Sequence, residues 1–405
     1  MNSSSASASG ISVAYMGVHQ AYQLALAAAE FNRLQAFYCS VYSEGPRWGK
    51  LLKKVLRSDL LNRRVDGLSG ANIIEYPWPL VGKFIRDKFL PHRRDDWLAA
   101  SDQFDKWSAS QMERNPSRIF VGTETCDLYG LRVARQHGAV TVHDCPQVHP
   151  TLLTQLMAQA SDAAGLPQPL PIDTPGMAAR KLEEYALADW LLVYSDLHKL
   201  SFTNAGFSPE RLFQCPLWVD TEFWSGGDPS AADAKSPLKA LFVGTLNLRK
   251  GLPFLLQAYD LCHKKISLTL VGSLDPAMRP LLSRYQDRIT WIPPVDKVQL
   301  REIYRQHDVF ILPSVVDSFG FVALEAMACG LPVVTTANCG APVPDKSWQV
   351  SAMDGNLLAE RILAMADDRD RTAQLGMVAR RHACQYTAAK YRKNINDLYL
   401  KLLGI

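Results

Sequence analysis

Short apolar runs alternate with longer segments of helical composition along most of the chain. The first run covers residues 11–16 (ISVAYM) and ends at Gly17, and a segment dense in Ala and Leu follows over residues 20–32. The other runs, which we predict to be strands, are residues 118–122, 139–143, 190–195, 239–244, 267–272, 288–292, 308–314 and 331–336. Because these runs are apolar throughout rather than alternating, they indicate parallel strands buried on both faces. The repeated order of strand and helix predicts a doubly wound α/β protein.

One stretch breaks this rhythm. Residues 224–237 (WSGGDPSAADAKSP) are rich in Gly, Ser, Asp and Pro and predict a linker or exposed loop. Enough chain lies on each side for a complete α/β sheet, so the simplest arrangement is two domains joined near residues 205–237. Since ligands of open α/β sheets bind beyond the carboxyl ends of the strands, two facing sheets would form a cleft. Composition leaves open which domain holds the last helical segment, residues 386–403.

Composition and charge narrow the function classes. Of the 405 residues 47% are apolar and 21% charged, which is typical of a globular protein rather than a disordered or fibrous one. A formal charge of +4 is too small to predict a dedicated nucleic-acid binder. The sequence shows neither an apolar stretch of about 18 residues nor a secretion signal. Its 8 cysteines form no CxxC pair, so we expect a cytoplasmic protein without a disulfide framework.

The most informative segment is residues 308–332 (DVFILPSVVDSFGFVALEAMACGLP). Its strand ends at Ser314, and Asp317 or Ser318 is expected to cap a helix that begins near Phe319 and runs to Ala328. Glu325 lies inside this apolar helix and needs either a ligand with adjacent hydroxyls, such as a ribose, or a structural Lys or Arg partner. Gly320 permits close backbone approach, and the free N–H groups of the helix start attract an anion.

A second segment, residues 239–256 (KALFVGTLNLRKGLPFLL), places cations after a strand. The strand ends at Gly244, a polar loop carries Thr245, Arg249 and Lys250, and a helix follows Gly251. Two cations beside a helix N-terminus favour a phosphate site, and the alternative is a solvated Arg–Lys pair. The spacings GxxxxGK[ST] and GxGxxG are absent, which argues against Walker-type NTPases and nicotinamide dehydrogenases.

Together with residues 183–223, these segments resemble the GT-B-fold retaining glycosyltransferases of the family 4 type (glycosyl transferases group 1). The resemblance rests on ADWLLVYSDLHKLSF, on VDTEF after Pro216, on VGTLNLRKG and on PSVVDSFGFVALEAMACGLPVV. It is dense over roughly the last 220 residues and weaker before them. It implies two Rossmann-like domains facing across a cleft. Their expected bounds are 1–10 for a disordered tail, 11–215 for an acceptor domain completed by helix 386–405, and 216–385 for a donor domain.

The resemblance also implies roles for particular residues. In such enzymes two acidic residues are separated by seven others, here Asp317 near the donor sugar and Glu325 on the nucleotide ribose. Lys250 would bind the diphosphate, and Gly17 and His143 would lie beside the phosphates and the reacting sugar. The implied catalytic residues are His143, Asp317, Glu325 and Lys250. The implied donor-binding residues are Gly17, Thr245, Arg249, Lys250, Phe319, Gly320, Phe321, Val322 and Glu325, with backbone N–H groups contributing from Phe319 to Val322.

Three positions depart from the family pattern. Asp317 stands where Glu is usual, Thr245 where an arginine follows VG, and Trp218 where a glycine precedes VD. The shorter Asp317 bears on donor identity, and Trp218 is expected to narrow the cleft beside the hinge. Either Arg249 supplies the charge that Thr245 lacks, or Lys250 and the backbone alone hold the phosphates. Two alternatives therefore stay open beside transfer: a GT-B-fold sugar-nucleotide epimerase and a non-catalytic sugar-nucleotide-binding protein.

The expected reaction is hexosyl transfer from a nucleotide-diphosphate sugar to a glycan or glycolipid acceptor, in surface polysaccharide biosynthesis. Charge builds on the leaving diphosphate, so fixed cations and helix N-termini lower the barrier, and we expect no metal and no cofactor. The acidic pairs Asp95-Asp96 and Asp367-Asp368 lie in charged stretches, so we do not expect either pair to bind a metal ion. The resemblance implies retention of configuration, and no residue is nominated as a covalent nucleophile. The base, sugar, acceptor, linkage and oligomeric state stay open.

A basic amphipathic pattern lies between Arg47 and Arg64 (RWGKLLKKVLRSDLLNRR). Apolar residues at helical spacing among seven Lys and Arg favour contact with an anionic membrane surface or a lipid-linked acceptor. Residues 78–94 (WPLVGKFIRDKFLPHRR) again mix aromatic residues with cations. The alternative is a helix packed on its own sheet with a solvated basic edge. Peripheral contact with the inner face of the cytoplasmic membrane is thus a hypothesis.

Overall fold

The computed structural model of the chain describes residues 10–17, 20–42, 65–68, 72–90, 95–169, 171–226 and 236–405. These residues form two sheets in which every strand pairing is parallel. The predicted α/β fold with two Rossmann-like sheets is confirmed. The segment between Arg47 and Arg64 and most of the predicted linker lie outside the described residues.

The first sheet has seven strands in the order β3-β2-β1-β4-β5-β6-β7. The strands are β1 (Ile11–Tyr15), β2 (Leu34–Cys39), β3 (Ile73–Glu75), β4 (Ile119–Thr123), β5 (Val140–Asp144), β6 (Trp190–Val193) and β7 (Leu212–Gln214). β4 is buried at every position, as its unbroken apolar sequence predicts for a central parallel strand. The helices of this half are α1 (Ala21–Glu30), α2 (Trp78–Phe89), α3 (Asp96–Arg114), α4 (Leu128–Gln136), α5 (Pro150–Ala163), α6 (Pro175–Leu187) and α7 (Asp196–Asn204).

The second sheet has six strands in the order β10-β9-β8-β11-β12-β13. They are β8 (Leu238–Val243), β9 (Ile266–Val271), β10 (Thr290–Ile292), β11 (Val309–Leu312), β12 (Val333–Thr336) and β13 (Gln349–Val350). The helices are α8 (Leu252–Cys262), α9 (Arg279–Leu282), α10 (Lys297–Arg305), α11 (Phe321–Ala328), α12 (Gly355–Asp367), α13 (Arg369–Ala383) and α14 (Ala388–Leu403). β10 is shorter than the predicted strand 288–292 because the N–H groups of Arg288 and Ile289 both bond to the Tyr285 carbonyl in a turn.

Polar residues fix several helix starts in the way that their sequence predicts. Ser195 accepts a hydrogen bond from the His198 N–H at the start of α7, and Asp296 accepts one from the Gln299 N–H at the start of α10. Each side chain satisfies a donor that has no partner inside its helix. In the described ranges, none of the helices combines the length and the apolar character that crossing a membrane requires.

The last helix, α14, packs on the first sheet. The Tyr399 hydroxyl donates to the Leu24 carbonyl at 3.2 Å, and Arg118, which precedes β4, donates to the Leu403 carbonyl at 2.8 Å. The Trp218 ring, expected to narrow the cleft, lies 4.6 Å from the Tyr391 ring of this helix, with the two planes tilted by 45°. Composition could not decide where this segment belongs, and these contacts join it to the first domain. The exact domain bounds stay a prediction.

Candidate functional site

The carboxyl ends of β8 and β11 bring Lys250 and Asp317 together. The Lys250 ammonium forms an ion pair with Asp317 Oδ2, and 23% of the Lys250 side chain stays exposed. Burial alone would raise the pKa of the Asp317 carboxyl, but the Lys250 ammonium and the Arg249 guanidinium hold this pKa below its ordinary value. The carboxylate is therefore ionised and anchored at neutral pH.

Asp317 also organises the loop that leads into α11. Its Oδ1 accepts hydrogen bonds from the N–H groups of Gly320 at 3.0 Å and Phe319 at 3.3 Å. Gly320 has φ +68°, and the helix begins at Phe321 rather than near Phe319 as expected. The left-handed glycine and the carboxylate cap delay the helix by about one half turn. Two of the four N–H groups expected to face the donor are thus bound to Asp317, and those of Phe321 and Val322 lie in the first turn, where no intrahelical acceptor exists.

Glu325 lies about one turn after the start of α11 and is partly exposed. Burial raises the pKa of its carboxyl to about 7, against the field of Lys297 and a hydrogen bond from the Tyr304 hydroxyl. That hydroxyl lies 3.4 Å from Oε2. Within the described residues no ion pair to Glu325 is found, and Lys297 acts on its carboxyl through its charge from a longer distance. The carboxylate retains acceptor capacity for a ligand.

The loop after β8 is held against the Asp317 loop. Asn247 Oδ1 accepts the Lys250 N–H at 2.9 Å, and Arg249 Nε donates to the Val316 carbonyl at 3.3 Å. A Cβ at Gly251, which has φ +77°, would lie 1.9 Å from the Pro313 carbonyl oxygen. Arg249 and Lys250 are therefore directed by the fold and are not a freely solvated pair, whereas Thr245 is exposed beside them.

The first domain places its candidate residues differently. Gly17 is buried after β1, and a Cβ there would lie 2.7 Å from the Tyr15 ring. His143, near the end of β5, is fully buried with its ring edge-on to Tyr185 at 5.4 Å. Its Nδ1 lies 2.7 Å from Asp127 Oδ2, and burial lowers the pKa of the imidazole. The expected sugar-facing histidine is enclosed in this conformation.

His143 belongs to a buried polar cluster that sequence reasoning missed. One ligand-type atom each of Asp127, His143 and Glu184 lies within 4.8 Å of the others, a set that could hold a metal ion. However, Arg180 Nε donates to one Glu184 oxygen at 2.8 Å and the Thr125 N–H to the other at 2.7 Å. The contacts are those of a hydrogen-bonded network. The three residues come from distant segments, so no local spacing could reveal them.

The two sheet edges meet at Ser318. Its Oγ accepts the Val148 N–H at 2.9 Å, and its carbonyl accepts the Ser195 hydroxyl at 2.7 Å. Both donors belong to the first domain. The structure therefore unites Lys250, Arg249, Asp317 and the α11 start at an edge that touches the first domain, while Gly17 and His143 lie within that domain.

Residues 237–368, which carry these loops, match the family model described as glycosyl transferases group 1. Over these residues the chain is similar to the glycosyl transferases group 1 family. A D-inositol 3-phosphate glycosyltransferase of Xylanimonas cellulosilytica is 32% identical over 218 residues, which are 48% of this chain and 50% of that protein. The chain spans half or less of the first three curated relatives that it matches.

Solved structures share the fold of nearly the whole chain. Sucrose-phosphate synthase from Thermosynechococcus elongatus has a TM-score of 0.71 at 19% identity, with 98% of this chain and 99% of that chain covered. Anabaena HepE in complex with UDP and glucose has a TM-score of 0.62 at 14% identity, covering 96% and 98%. The resemblance to group 1 glycosyltransferases and the GT-B fold are confirmed, and the family 4 subtype stays a prediction.

Proposed function

We propose that this protein is a glycosyltransferase that moves a hexosyl group from a nucleotide-diphosphate sugar to a glycan or glycolipid acceptor, with retention of configuration. The observation that carries the proposal is the Lys250–Asp317 pair, built at the sheet edge of a group 1 domain beside an α11 start with open amides. The UDP in the HepE complex supports a nucleoside-diphosphate donor for this chain as well.

In this proposal the cations serve the leaving group. Cleavage of the sugar–diphosphate bond places negative charge on the diphosphate, and prearranged cations stabilise that charge in the transition state. Lys250 would bind the diphosphate, with Arg249 supplying the charge that Thr245 lacks. The N–H groups of Phe321 and Val322 would add donors, whereas Asp317 competes for those of Phe319 and Gly320. No step requires a metal ion.

Glu325 would bind the two ribose hydroxyls. An ionised carboxylate accepts two O–H groups at once, and these bonds are stronger than those between neutral groups. The pKa of the Glu325 carboxyl in the free protein is about 7, so this group is mostly protonated below that pH. Because the donor would bind the ionised form, binding below pH 7 would release the proton of Glu325. Asp317 would contact the donor sugar while its other oxygen keeps the loop in place.

The acceptor would approach from the first domain, on the face that the leaving group occupies. His143 stands near the carboxyl end of β5, the sheet edge toward the second domain, and Asp127 fixes its ring. Contact with a sugar requires that this ring become accessible when substrates bind. We nominate no covalent nucleophile, so the acceptor itself would attack.

A lipid-linked acceptor and a peripheral membrane contact belong to the same proposal. On α2 three large apolar side chains are half or more exposed: Trp78 (51%), Ile85 (51%) and Phe89 (72%). Lys88 lies over the Phe89 ring at 5.7 Å, so cation and aromatic side chains share this surface. Such a surface suits the headgroup layer of an anionic membrane on the cytoplasmic side. Flotation with anionic liposomes tests it, and a lack of binding at low salt would contradict it.

The decisive experiment has two stages. A thermal-shift panel of UDP-, GDP- and dTDP-sugars identifies the donor, because a ligand that binds the native state raises the unfolding temperature. Nucleoside-diphosphate release with an acceptor is then compared for the wild type, Lys250→Ala and Glu325→Ala. Both variants should be strongly impaired. Full rates in both would refute the site assignment, and conversion of the donor without an acceptor would indicate an epimerase.

A further inference from the structure

Two buried hydrogen bonds from the first domain converge on a single residue of the second. Ser318 is 3% exposed, and its hydroxyl and carbonyl oxygens accept the Val148 N–H and the Ser195 hydroxyl at 2.9 and 2.7 Å. The residue itself is not a candidate for contact with the donor. It nevertheless links the two sheets at the loop that contains Asp317.

The loop around Ser318 has little freedom. Asp317 donates its N–H to the Asn338 carbonyl at 3.0 Å and accepts the Gly340 N–H at 2.8 Å. A Cβ at Gly340 would lie 2.1 Å from the Ser318 carbonyl oxygen and 2.2 Å from the Ser195 hydroxyl. Only glycine permits this approach. A displacement of Ser318 would therefore be passed to Asp317 and to the amides that Asp317 binds.

The donors on the first domain are equally well placed. Val148 lies between β5, which carries His143, and the start of α5. Ser195 caps α7, so its oxygen accepts the His198 N–H at 3.2 Å while its hydrogen goes to Ser318. The positions of both donors are thus fixed by the carboxyl-end edge of the first sheet.

An apolar cluster covers this junction. Leu153, Leu156 and Met157 of α5 pack with Val148 against the second domain, where the partners are Leu248, Phe254, Val315 and Val316. All are buried, so the two hydrogen bonds lie in a region of low dielectric constant. In such surroundings the bonds are strengthened, and a donor left unpaired is costly.

We propose that Ser318 is a positioning residue that fixes the Asp317 loop against the first domain and thereby sets the rate of sugar transfer. The proposal rests on the proposed glycosyltransferase function and adds to it a specific link between domain contact and donor geometry. Ser318→Ala leaves the Val148 N–H buried without its acceptor, and Ser195→Ala removes the other donor. Neither change touches Lys250, Asp317 or Glu325.

The test compares Ser318→Ala, Ser195→Ala and the double variant with a matched control, Ser314→Ala. Ser314 lies in the same loop region and is fully buried, and its hydroxyl has no hydrogen-bond partner among the described residues. For each protein we would measure kcat, KM, the Kd for the donor's nucleoside diphosphate by calorimetry, and hydrogen exchange of the Val148 amide. Circular dichroism establishes that each variant is folded.

We expect kcat to fall about tenfold in each single variant and further in the double variant, since a lost buried hydrogen bond that leaves one partner unpaired has an effect of that order. The Kd for the nucleoside diphosphate should change less than about twofold, because the cations and Glu325 remain. Val148 exchange should accelerate in Ser318→Ala. Ser314→Ala should match the wild type in every measurement.

The outcomes separate the possible failures. Wild-type kcat together with faster Val148 exchange would overturn the proposal, because the contact would then be structural only. Unchanged exchange in Ser318→Ala would overturn it too, because the hydrogen bond would not exist in solution. If Ser318→Ala does not fold, Ser195→Ala decides through kcat and the Kd for the nucleoside diphosphate, because Ser195 donates to the Ser318 carbonyl and not to the hydroxyl that Val148 contacts. A wild-type kcat in Ser195→Ala would then overturn the proposal. A wild type without transfer activity would refute the proposed function, while Val148 exchange would still test the domain contact.

Discussion

The charged groups at the carboxyl ends of the two sheets differ in their burial and in the ratio of cations to carboxyl groups. In the second domain two cations face one carboxylate, and 23% of Lys250 and 12% of Asp317 stay exposed. In the first domain four buried carboxyls surround two buried cations: Asp105, Glu124, Asp127 and Glu184 around Arg180 and Lys181. The first arrangement can exchange a partner for an added anion, whereas the cations of the second already form several buried ion pairs with carboxyl groups of the protein. Under the proposed function, this difference favours donor binding at the edge of the second sheet.

Removal of a cation from the buried network should have the largest effect. Arg180 donates to Asp102, Asp105 and Glu184, so Arg180→Met would leave the two buried carboxyl groups, Asp105 and Glu184, without this donor and its positive charge. We expect the free energy of unfolding in urea to fall by about 3–5 kcal/mol. The matched control is Arg132→Met, whose exposed pair with Glu183 should contribute less than about 0.5 kcal/mol. Similar losses in both variants would show that the buried ion pairs of the first edge contribute no more than an exposed pair.

Replacement of a cation by methionine at the carboxyl-end edge of the second sheet should instead affect catalysis. Lys250→Met should lower kcat/KM for transfer by about 10²–10³-fold, because one fixed charge is lost where the diphosphate develops charge. Stability should fall less than in Arg180→Met, since Arg249 and the N–H groups of the loop still stabilise the Asp317 carboxylate. Lys265→Met, which removes an exposed pair with Asp367, is the control for the loss of a surface cation and should keep the wild-type rate. A stable Lys250 variant with full activity would remove the contrast between the edges.

How much of this contrast was predictable depends on how the residues are distributed in sequence. Lys250, Asp317 and Glu325 stand in contiguous motifs that follow buried strands, so pattern and resemblance located all three. Asp127, His143 and Glu184 come from a loop, a strand and a helix that only the tertiary fold unites. Ser318 appeared only as a possible cap, since its partners Val148 and Ser195 lie more than a hundred residues away.

The strands show the same limit. Most interior strands were predicted because burial on both faces requires continuous apolar sequence, and β4 is buried at every position. The interior strand β2 (Leu34–Cys39) was missed, although it pairs with β1 and β3. The edge strands β3, β7 and β13 have only two or three residues and carry polar side chains such as Glu75, Gln214 and Gln349. Their sequence resembles that of loops, and pairing with a neighbour decides their conformation. The start of α11 was misplaced because the Asp317 cap and the left-handed Gly320 act before the helix begins.

The pH dependence of donor binding tests whether Glu325, in the second domain, contacts the nucleotide. With a carboxyl pKa of about 7, Glu325 is protonated below that pH and ionised above it, and only the ionised form accepts both ribose hydroxyls. Nucleoside-diphosphate affinity should therefore rise as pH increases through 7, and Glu325→Gln should lower affinity about tenfold at pH 8. The glutamine variant serves as its own control, because any pH dependence that it retains comes from the phosphates. An identical pH profile in both proteins would show that Glu325 does not contact the nucleotide.

The smallest effect is expected from restoring the cation that the family pattern places after VG. Thr245 is exposed, so Thr245→Arg should leave the free energy of unfolding unchanged within about 0.5 kcal/mol. If the second edge still has room for anionic contacts, nucleoside-diphosphate affinity should rise about threefold, and the gain should shrink with salt, as exposed charge contacts do. Thr245→Gln, similar in reach but neutral, separates charge from size. A salt-independent gain, or an equal gain with glutamine, would mean that Arg249 already supplies the charge and that the edge is electrostatically complete.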